Sequence, residues 1–478
     1  MTIDGISVQE TIDLARNQLA KINIPEDDKS SLETLITLTT IMKDRLGINS
    51  SNSGKPPSKD ELRDKGKKEK KAVSERPVGG QKGHKGSQLE LVDNPDEIIY
   101  IPVDKNLIPN SNHLISGYTR RQVIDIRITR YVTEYRAEII NKENGKAITA
   151  EFPDEAGRPV QYGSFVKAHS VYMSLYQLIP YKRVSEHFND NTDISISTGS
   201  LCCFNEEAYD LLEDFNRWVI NQQCYTNVLN ADETGINING KLHWLHSLSN
   251  DQTTYFHPDE KRGSTAMNAM EVLPNFNGVL CHDHWKPYYK YGCIHALCNA
   301  HHIRELKRAY EEDNQEWAKQ IEHLLKEMNN AVHDSESGVL SEEAIRNYEH
   351  KYLQILENGK LECPEIEVKR GTAKKGKLKR TKARNLLNRL IAFKDDALRF
   401  CQIADVPFTN NSAEQEIRMT KVHQKVSGCF RSMDGAKRFC RIRSYIKTCQ
   451  KHGIKSVEAL RMLFNSENPE FMNPSPPP

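Results

Sequence analysis

Positions 225–235 read YTNVLNADETG, a β-branched and apolar run followed by two carboxylates. The run predicts a short buried strand that ends at Asp232, just before a turn. A second strand is predicted at 241–249. A carboxylate at the end of a core strand is held on a rigid element and faces outward, which suits a metal ligand. Asp283 and Glu414, further along the chain, complete a predicted cluster with Asp232.

The charge of the chain is nearly balanced overall but segregated along its length. The 478 residues have a net charge of +1, yet residues 51–86, 369–384 and 417–447 carry +6, +9 and +8. Segregated basic patches favour a polyanion bound at defined places, and nucleic acid is the commonest such partner. The alternative is that each patch is a solvated face. The length predicts roughly two to four domains.

The chain contains eleven scattered cysteines and begins without the basic and apolar regions of a signal peptide. No apolar run approaches the length of a membrane span. We therefore expect reduced thiols, a cytoplasmic location and no membrane partner.

Periodicity and composition divide the chain into seven predicted segments. They are an N-terminal helical segment (1–48), a basic flexible linker (49–88), a small mixed domain (89–200), the first part of a catalytic core (201–305), a helical insertion (306–400), a second core part with basic helices (401–465) and a disordered tail (466–478). Within the mixed domain, strands are predicted at 97–103, 122–128 and 130–135, and a helix at 163–178.

The order of predicted elements in the core indicates an α/β fold with a ribonuclease-H-like mixed sheet, which a helical insertion interrupts. Three strands come first, then a helix at 265–273, then strands at 278–283 and 295–299. In that fold the first and fourth strands lie side by side, so Asp232 and Asp283 are expected to be neighbours. Glu414 lies on a helix predicted to start near Ser412.

Each carboxylate also has a purely structural interpretation. Asp232 can shape the turn before Gly235, and Asp283 can cap the following helix. Glu414 sits three residues after Asn411, close to the spacing of a capping box. Glu416 is an alternative third ligand, but it lies on a different face of the helix from Glu414.

Cysteine and histidine are concentrated between positions 281 and 302. A zinc site is conceivable there, although the spacing lacks two clean ligand pairs and we favour core and surface thiols instead. The residues concerned are Cys281, His282, His284, Cys293, His295, Cys298, His301 and His302.

Five motifs in order give the chain a specific resemblance. They read DET at 232–234 with a later Trp244, DHWKPY at 283–288, CNAHHIREL at 298–306, VPFTNNSAE at 406–414 and KVSGCFRS at 425–432. With the GGQKGHKG string at 79–86, they resemble the transposases of the bacterial insertion-sequence-sixty-six family. The resemblance covers nearly the whole chain.

The resemblance implies a DDE transposase with Asp232, Asp283 and Glu414 as its acidic triad and two Mg²⁺ ions, for which Mn²⁺ can substitute. The implied reaction is phosphodiester hydrolysis and strand transfer of an insertion element. The implied partners are element-end and target DNA, further copies of the chain on DNA, and small accessory proteins. Two alternatives stay open: a ribonuclease-H-like nuclease or resolvase, and an inactive DNA-binding remnant.

DNA contacts are expected from basic residues in the linker and near the triad. The predicted set is Lys67, Lys68, Lys82, Lys85, Arg304, Arg418, Lys425, Arg431, Arg438 and Arg441, with Lys437 and Arg443 on the same C-terminal face. The family usually carries a small cysteine zinc module after its linker. Residues 89–150 contain no cysteine, so the predicted DNA-binding domain there lacks those ligands.

Overall fold

The computed structural model describes residues 2–3, 6–22, 24–47, 89–104, 117–142, 146–365 and 380–473. The predicted linker 49–88 lies wholly outside these residues, as do most of the basic stretch 369–384 and the last five residues of the predicted tail. The first described part holds two short antiparallel strands and two helices that pack together. They are β1 (Thr2–Ile3), β2 (Ile6–Ser7), α1 (Val8–Leu19) and α2 (Glu26–Gly47).

The described residues between 89 and 150 form little regular structure. Their one strand pair is β3 (Ile139–Asn141) and β4 (Ala147–Thr149), which are antiparallel. The strands predicted at 97–103, 122–128 and 130–135 are wrong, because no strand forms there. Their apolar side chains alternate at period two but stay exposed, Ile101 by 87% and Val123 by 95%. A strand pattern needs a buried face to become stable, and this segment has none.

A five-stranded mixed sheet forms the centre of the main body. Its strands are β5 (Val228–Ile238), β6 (Lys241–Ser249), β7 (Thr254–Asp259), β8 (Val279–His282) and β9 (Ile294–Leu297). The spatial order is β7-β6-β5-β8-β9, with β5, β6 and β7 antiparallel and with β8 and β9 parallel to β5. The predicted adjacency of the first and fourth strands is confirmed.

Helices surround the sheet and fill the long interval before Glu414. Those before the sheet are α3 (Ser164–Val171), α4 (Tyr181–Thr192), α5 (Thr198–Leu211) and α6 (Glu213–Cys224), and α7 (Ser264–Ala269) links β7 to β8. The interval contains α8 (Asn299–Asp313), α9 (Glu316–Asp334), α10 (Glu342–Glu362), α11 (Lys382–Ala392) and α12 (Lys394–Ala397). The chain returns through α13 (Asn411–Ser427), α14 (Met433–Lys451) and α15 (Ser456–Phe464). None of the described helices is long and apolar enough to cross a membrane.

The sheet is buried on both faces, which explains its continuous apolar runs. In β8, Leu280 faces one core with α3 to α6, α14 and α15, while Val279 and Cys281 face a second core built around Trp317 of α9. Ala168 of α3 belongs to the first core. The hydrophobic core therefore begins before residue 200, where the sequence placed a segment boundary.

Candidate active site

Asp232 lies within β5, and Asp283 directly follows β8, the parallel strand next to β5. The pairing of β5 with β8 runs as far as Asn230, which lies opposite Cys281. Asp232 comes two residues after Asn230, and Asp283 comes two residues after Cys281. The predicted adjacency is thus confirmed. The prediction that the strand ends at Asp232 is wrong, because antiparallel pairing with β6 carries β5 on to Ile238.

Each aspartate has one local hydrogen bond. Oδ1 of Asp232 accepts the backbone N–H of Glu233 at 2.8 Å. Oδ1 of Asp283 accepts the N–H of Trp285 at 3.1 Å and so stabilises the turn into the 3₁₀ helix Lys286–Lys290. The interpretation of Asp283 as a helix cap is wrong, because no side-chain hydrogen bond caps this 3₁₀ helix and the N–H that Asp283 accepts belongs to Trp285, before the first residue of the helix.

Asn410 joins the helix of Glu414 to the sheet. It is buried, and its side-chain amide donates to the carbonyl of Ala231 at 2.7 Å, next to Asp232. Its backbone N–H donates to Sγ of Cys298 at 3.1 Å. Helix α13 starts at the next residue, so Glu414 lies in its first turn. This junction brings a residue 182 positions from Asp232 to the same edge of the sheet.

The carboxylate of Asp232 is affected by the negative charges around it. Burial raises the pKa of Asp232 well above its usual value, and the negative charges of Glu233, Asp283 and Glu414 raise it further. Oε1 of Glu414 is buried and has no hydrogen-bond partner among the described residues. Clustered carboxylate oxygens are the hard donors that Mg²⁺ and Mn²⁺ take, and a cation would relieve this repulsion. The donor set therefore fits a divalent cation.

Glu414 and Glu416, the two candidates for the third carboxylate, differ in their contacts. No side-chain hydrogen bond caps the N-terminus of α13, so a capping role does not account for Glu414. Glu416 forms ion pairs with Lys447 at 3.2 Å and Lys451 at 4.0 Å, both on α14. Two positions along a helix turn the side chain to another face, and that face is occupied by the lysines.

Glu233 is a residue of the site that the sequence left without a role. It is buried, and its Oε1 accepts from Nε and Nη2 of Arg262 at 3.0 and 2.7 Å. Its Oε2 accepts from the Tyr288 hydroxyl at 2.7 Å. The guanidinium carbon of Arg262 lies 4.7 Å from the ring centre of Trp244 and 4.2 Å from that of Trp285. The sequence did contain a signal for this network, because Glu233, both tryptophans and Tyr288 all belong to the motifs that carry the family resemblance.

The eight cysteines and histidines of 281–302 do not form one cluster. Cys281 lies in the second core, His282 hydrogen-bonds His295 at 3.1 Å, and His302 hydrogen-bonds Asn299 at 3.0 Å. Only Cys298 and His301 come together with an acidic residue, Glu414, in the described part of the chain.

The predicted basic residues fall into three groups. The linker residues Lys67, Lys68, Lys82 and Lys85 lie outside the described part. On α14, Arg438 pairs with Glu206 and Arg441 with Glu213, which fastens that helix to α5 and α6, while Arg443 is 2% exposed and donates to the Leu175 carbonyl. The inclusion of Arg443 in a DNA-facing surface is wrong, because a buried guanidinium cannot reach a phosphate. The other predicted residues are at least partly exposed: Arg304, Arg418, Lys425, Arg431 and Lys437.

Comparison with known families covers most of the chain. A family model described as the transposase IS66 family matches residues 159–438, more than half of the chain and including all three carboxylates. A second model, for a family of unknown function (DUF6444), matches residues 8–90. No curated protein matches the chain.

Proposed function

The chain belongs to the IS66 family of transposases, and from this premise we propose that it is a DDE transposase that cleaves DNA at the ends of an insertion element and joins them to a target. The observation that carries the proposal is the meeting of Asp232, Asp283 and Glu414 at one edge of the sheet from three separate elements. The strand order β7-β6-β5-β8-β9 supports a ribonuclease-H-like assignment for the sheet.

Asp232, Asp283 and Glu414 are the residues that would hold two Mg²⁺ or Mn²⁺ ions. Such ions, when bound, activate a water or DNA 3′-hydroxyl for in-line attack and stabilise the departing oxygen. The protein contributes rigid placement, since Asp232 lies within a paired strand and Glu414 in the first turn of a helix anchored by Asn410. Rigid placement of ligands reduces the reorganisation that the reaction requires.

The second contribution of the chain is to neutralise the charge next to Asp232. Glu233 would place another negative charge beside the triad, but Arg262 and Tyr288 bind both of its oxygens. The Arg262 guanidinium is held between Trp244 and Trp285, so it stays in place. Arg262 therefore balances the charge of Glu233 in part, while that charge still contributes to the raised pKa of Asp232.

The exposed basic side chains near Glu414 would bind the DNA backbone. Arg418 lies one turn beyond Glu414 on α13, and Lys425 and Arg431 follow at and beyond its C-terminal end. Cations spaced along one surface contact phosphates without reading bases. The proposed partners are element-end and target DNA, a second copy of the chain that holds the other end, and small accessory proteins of the element.

A labelled element-end duplex, incubated with the full chain, a target plasmid and Mg²⁺ or Mn²⁺, tests the proposal. We expect nicked ends carrying 3′-hydroxyls and products joined to the plasmid. Asp232→Asn, Asp283→Asn and Glu414→Gln should abolish both products, and Glu416→Gln should retain them. Nicking without joining would indicate a nuclease or resolvase. DNA binding without cleavage, even with the accessory proteins added, would indicate a remnant.

A further inference from the structure

A second group of possible metal ligands lies on the helix side of the acidic triad. Sγ of Cys298, a ring nitrogen of His301 and a carboxylate oxygen of Glu414 all lie within 4.8 Å of one another. Cys298 immediately precedes α8, His301 is in the first turn of α8, and Glu414 is in the first turn of α13. Two helix N-termini thus converge on one point and present a sulfur, a nitrogen and an oxygen donor.

Two polar atoms of this group lack protein partners. Nδ1 of His301 and Oε1 of Glu414 are both buried, and neither has a hydrogen-bond partner among the described residues. Buried polar atoms are usually satisfied, and an unsatisfied one calls for a specific explanation. Two such atoms at the same place are explained together by one cation between them.

The sulfur of Cys298 faces several backbone N–H groups. Its Sγ accepts the backbone N–H of Asn410 at 3.1 Å, and the backbone N–H groups of Ala300 and His301 also act on it. Helix α8, which starts beside this sulfur, is 15 residues long. Burial raises the pKa of this thiol, and a bound metal would displace its proton.

A small cavity of about 10 Å³ lies beside this group, and Arg389 but not Glu414 lines it. Its lining includes Asp283 as well as Cys298 and His301. This volume is close to the least that one water molecule needs, so the cavity holds one water at most. Three protein ligands with one open position are the arrangement of zinc sites that exchange their fourth ligand.

We propose that Cys298, His301 and Glu414 bind one borderline-soft divalent cation, best matched by Zn²⁺, at a site that shares Glu414 with the acidic triad. Thiolate and imidazole ligands select Zn²⁺ over Mg²⁺, whereas the triad offers only oxygen. The bound cation would fix the position of Glu414 relative to Asp232. Binding of this cation does not depend on the proposed transposition chemistry; only the shared role of Glu414 rests on it.

The first measurement is the metal content of the full chain, purified without chelators, by mass spectrometry of the elements. The second is a titration of the chelator-treated protein with Co²⁺, followed by its thiolate-to-metal absorption. We expect about one Zn²⁺ per chain and saturation at about one Co²⁺ per chain, as three protein ligands to one cation require. Less than about a tenth of that content, together with no thiolate absorption, would overturn the proposal.

Substitutions locate the site within the chain. Cys298→Ser should remove the thiolate absorption, and both it and His301→Ala should lower Zn²⁺ affinity at least tenfold. The matched control Cys281→Ser replaces a buried thiol that lies in the second core, so it should bind as the parent chain does. Equal loss in Cys281→Ser and Cys298→Ser, with both variants folded by circular dichroism, would contradict the assignment. If either variant is unfolded, the His301→Gln variant is tested instead, and its Zn²⁺ affinity is measured by competition with a chromophoric chelator. An affinity equal to that of the parent chain would also overturn the proposal.

Asp232→Asn separates this inference from the proposed function. It removes a triad ligand but none of the three zinc ligands, so it should lose DNA cleavage and still bind Zn²⁺. Failure of transposition in a chain that binds zinc would leave the metal site intact. Loss of zinc binding in Asp232→Asn would instead contradict a separate site.

Discussion

Two carboxylates of the candidate site, Glu233 on the sheet side and Glu414 on the helix side, differ in how completely the protein satisfies their oxygens. On the sheet side, the buried carboxylate of Glu233 has both oxygens bound by Arg262 and Tyr288. On the helix side, Oε1 of Glu414 and Nδ1 of His301 are buried without partners in the described part of the chain. The carboxylate of Glu233 is thus fully paired within the folded protein, whereas Glu414 and His301 each keep one buried atom available to a ligand.

The two sides are also held by different kinds of contact. Strand pairing on two edges of β5 places Asp232 through a regular ladder. The helix of Glu414 reaches that strand through the Asn410 amide, with the aromatic contacts of His423 further along α13. Substitutions on the sheet side should therefore separate chemistry from folding, and substitutions on the helix side should change the two together.

The largest effect is expected from Asp232→Asn. It should slow DNA cleavage by at least about 10³-fold, equivalent to about 4 kcal/mol of transition-state stabilisation. Stability should be retained, because the change removes the repulsion among Asp232, Asp283 and Glu414. Cleavage rates and urea unfolding measure the two quantities, with Glu416→Gln as control. Retention of the parent cleavage rate would remove Asp232 from the catalytic group.

A pH effect on the helix side should come next in size. Burial and the positive charge of Arg443 lower the pKa of His423 from 6.5 to about 4. The unfolded chain therefore binds a proton that the folded chain excludes, so stability is present above pH 6.5 and is lost as the pH falls towards 4. The loss from this residue should reach up to about 3 kcal/mol.

His423→Phe provides the comparison, because an aromatic ring can keep the stacking on Phe430 without titrating. Urea unfolding at pH 7.5, 5.5 and 4.5 should show a smaller acid-induced loss in this variant than in the parent. Other buried histidines, including His246 and His302, contribute equally to both proteins and cancel in the difference. Identical pH dependence in the two proteins would show that His423 is not protected in the fold.

A stability loss on the sheet side should follow from Glu233→Gln. It leaves the Arg262 charge unpaired, and since that side chain is 39% exposed we expect about 2 kcal/mol, less than for a fully buried pair. The matched change Glu458→Gln breaks a surface pair with Arg461 and should leave the unfolding midpoint unchanged. An equally small effect of Glu233→Gln would mean that the network does not stabilise the sheet edge.

The smallest effect on stability should come from Asn410→Ala. It removes one buried hydrogen bond to the Ala231 carbonyl, at a cost of about 1 kcal/mol. Because the bond positions the helix of Glu414, apparent Mg²⁺ affinity in the cleavage assay should weaken about tenfold. Asn411→Ala, at the exposed neighbouring position, is the control. Unchanged Mg²⁺ dependence in Asn410→Ala would assign this junction to folding alone.

Local sequence pattern predicted the parts of the site that depend on one strand or one helix. The apolar run before Asp232 and the run before Asp283 both become core strands, and parallel pairing brings their ends to the same edge. Glu414 was expected near the start of a helix and lies in its first turn. These features follow from periodicity and from chain order, both of which are properties of short stretches.

The features that depend on contacts between distant parts of the chain were decided by the tertiary structure. The period-two pattern at 122–128 forms no strand because nothing packs on it. Strand β5 extends beyond its apolar run because β6 pairs with it. Arg443 is buried by the packing of α14. Of the eight cysteines and histidines at 281–302, Cys298 and His301 are the ones that the fold places close to Glu414. Sequence by itself determined which short stretches can form strands and helices, because a side-chain pattern is local. Which charges are paired, buried or left open is a property of packing, and packing joins residues that the chain keeps far apart.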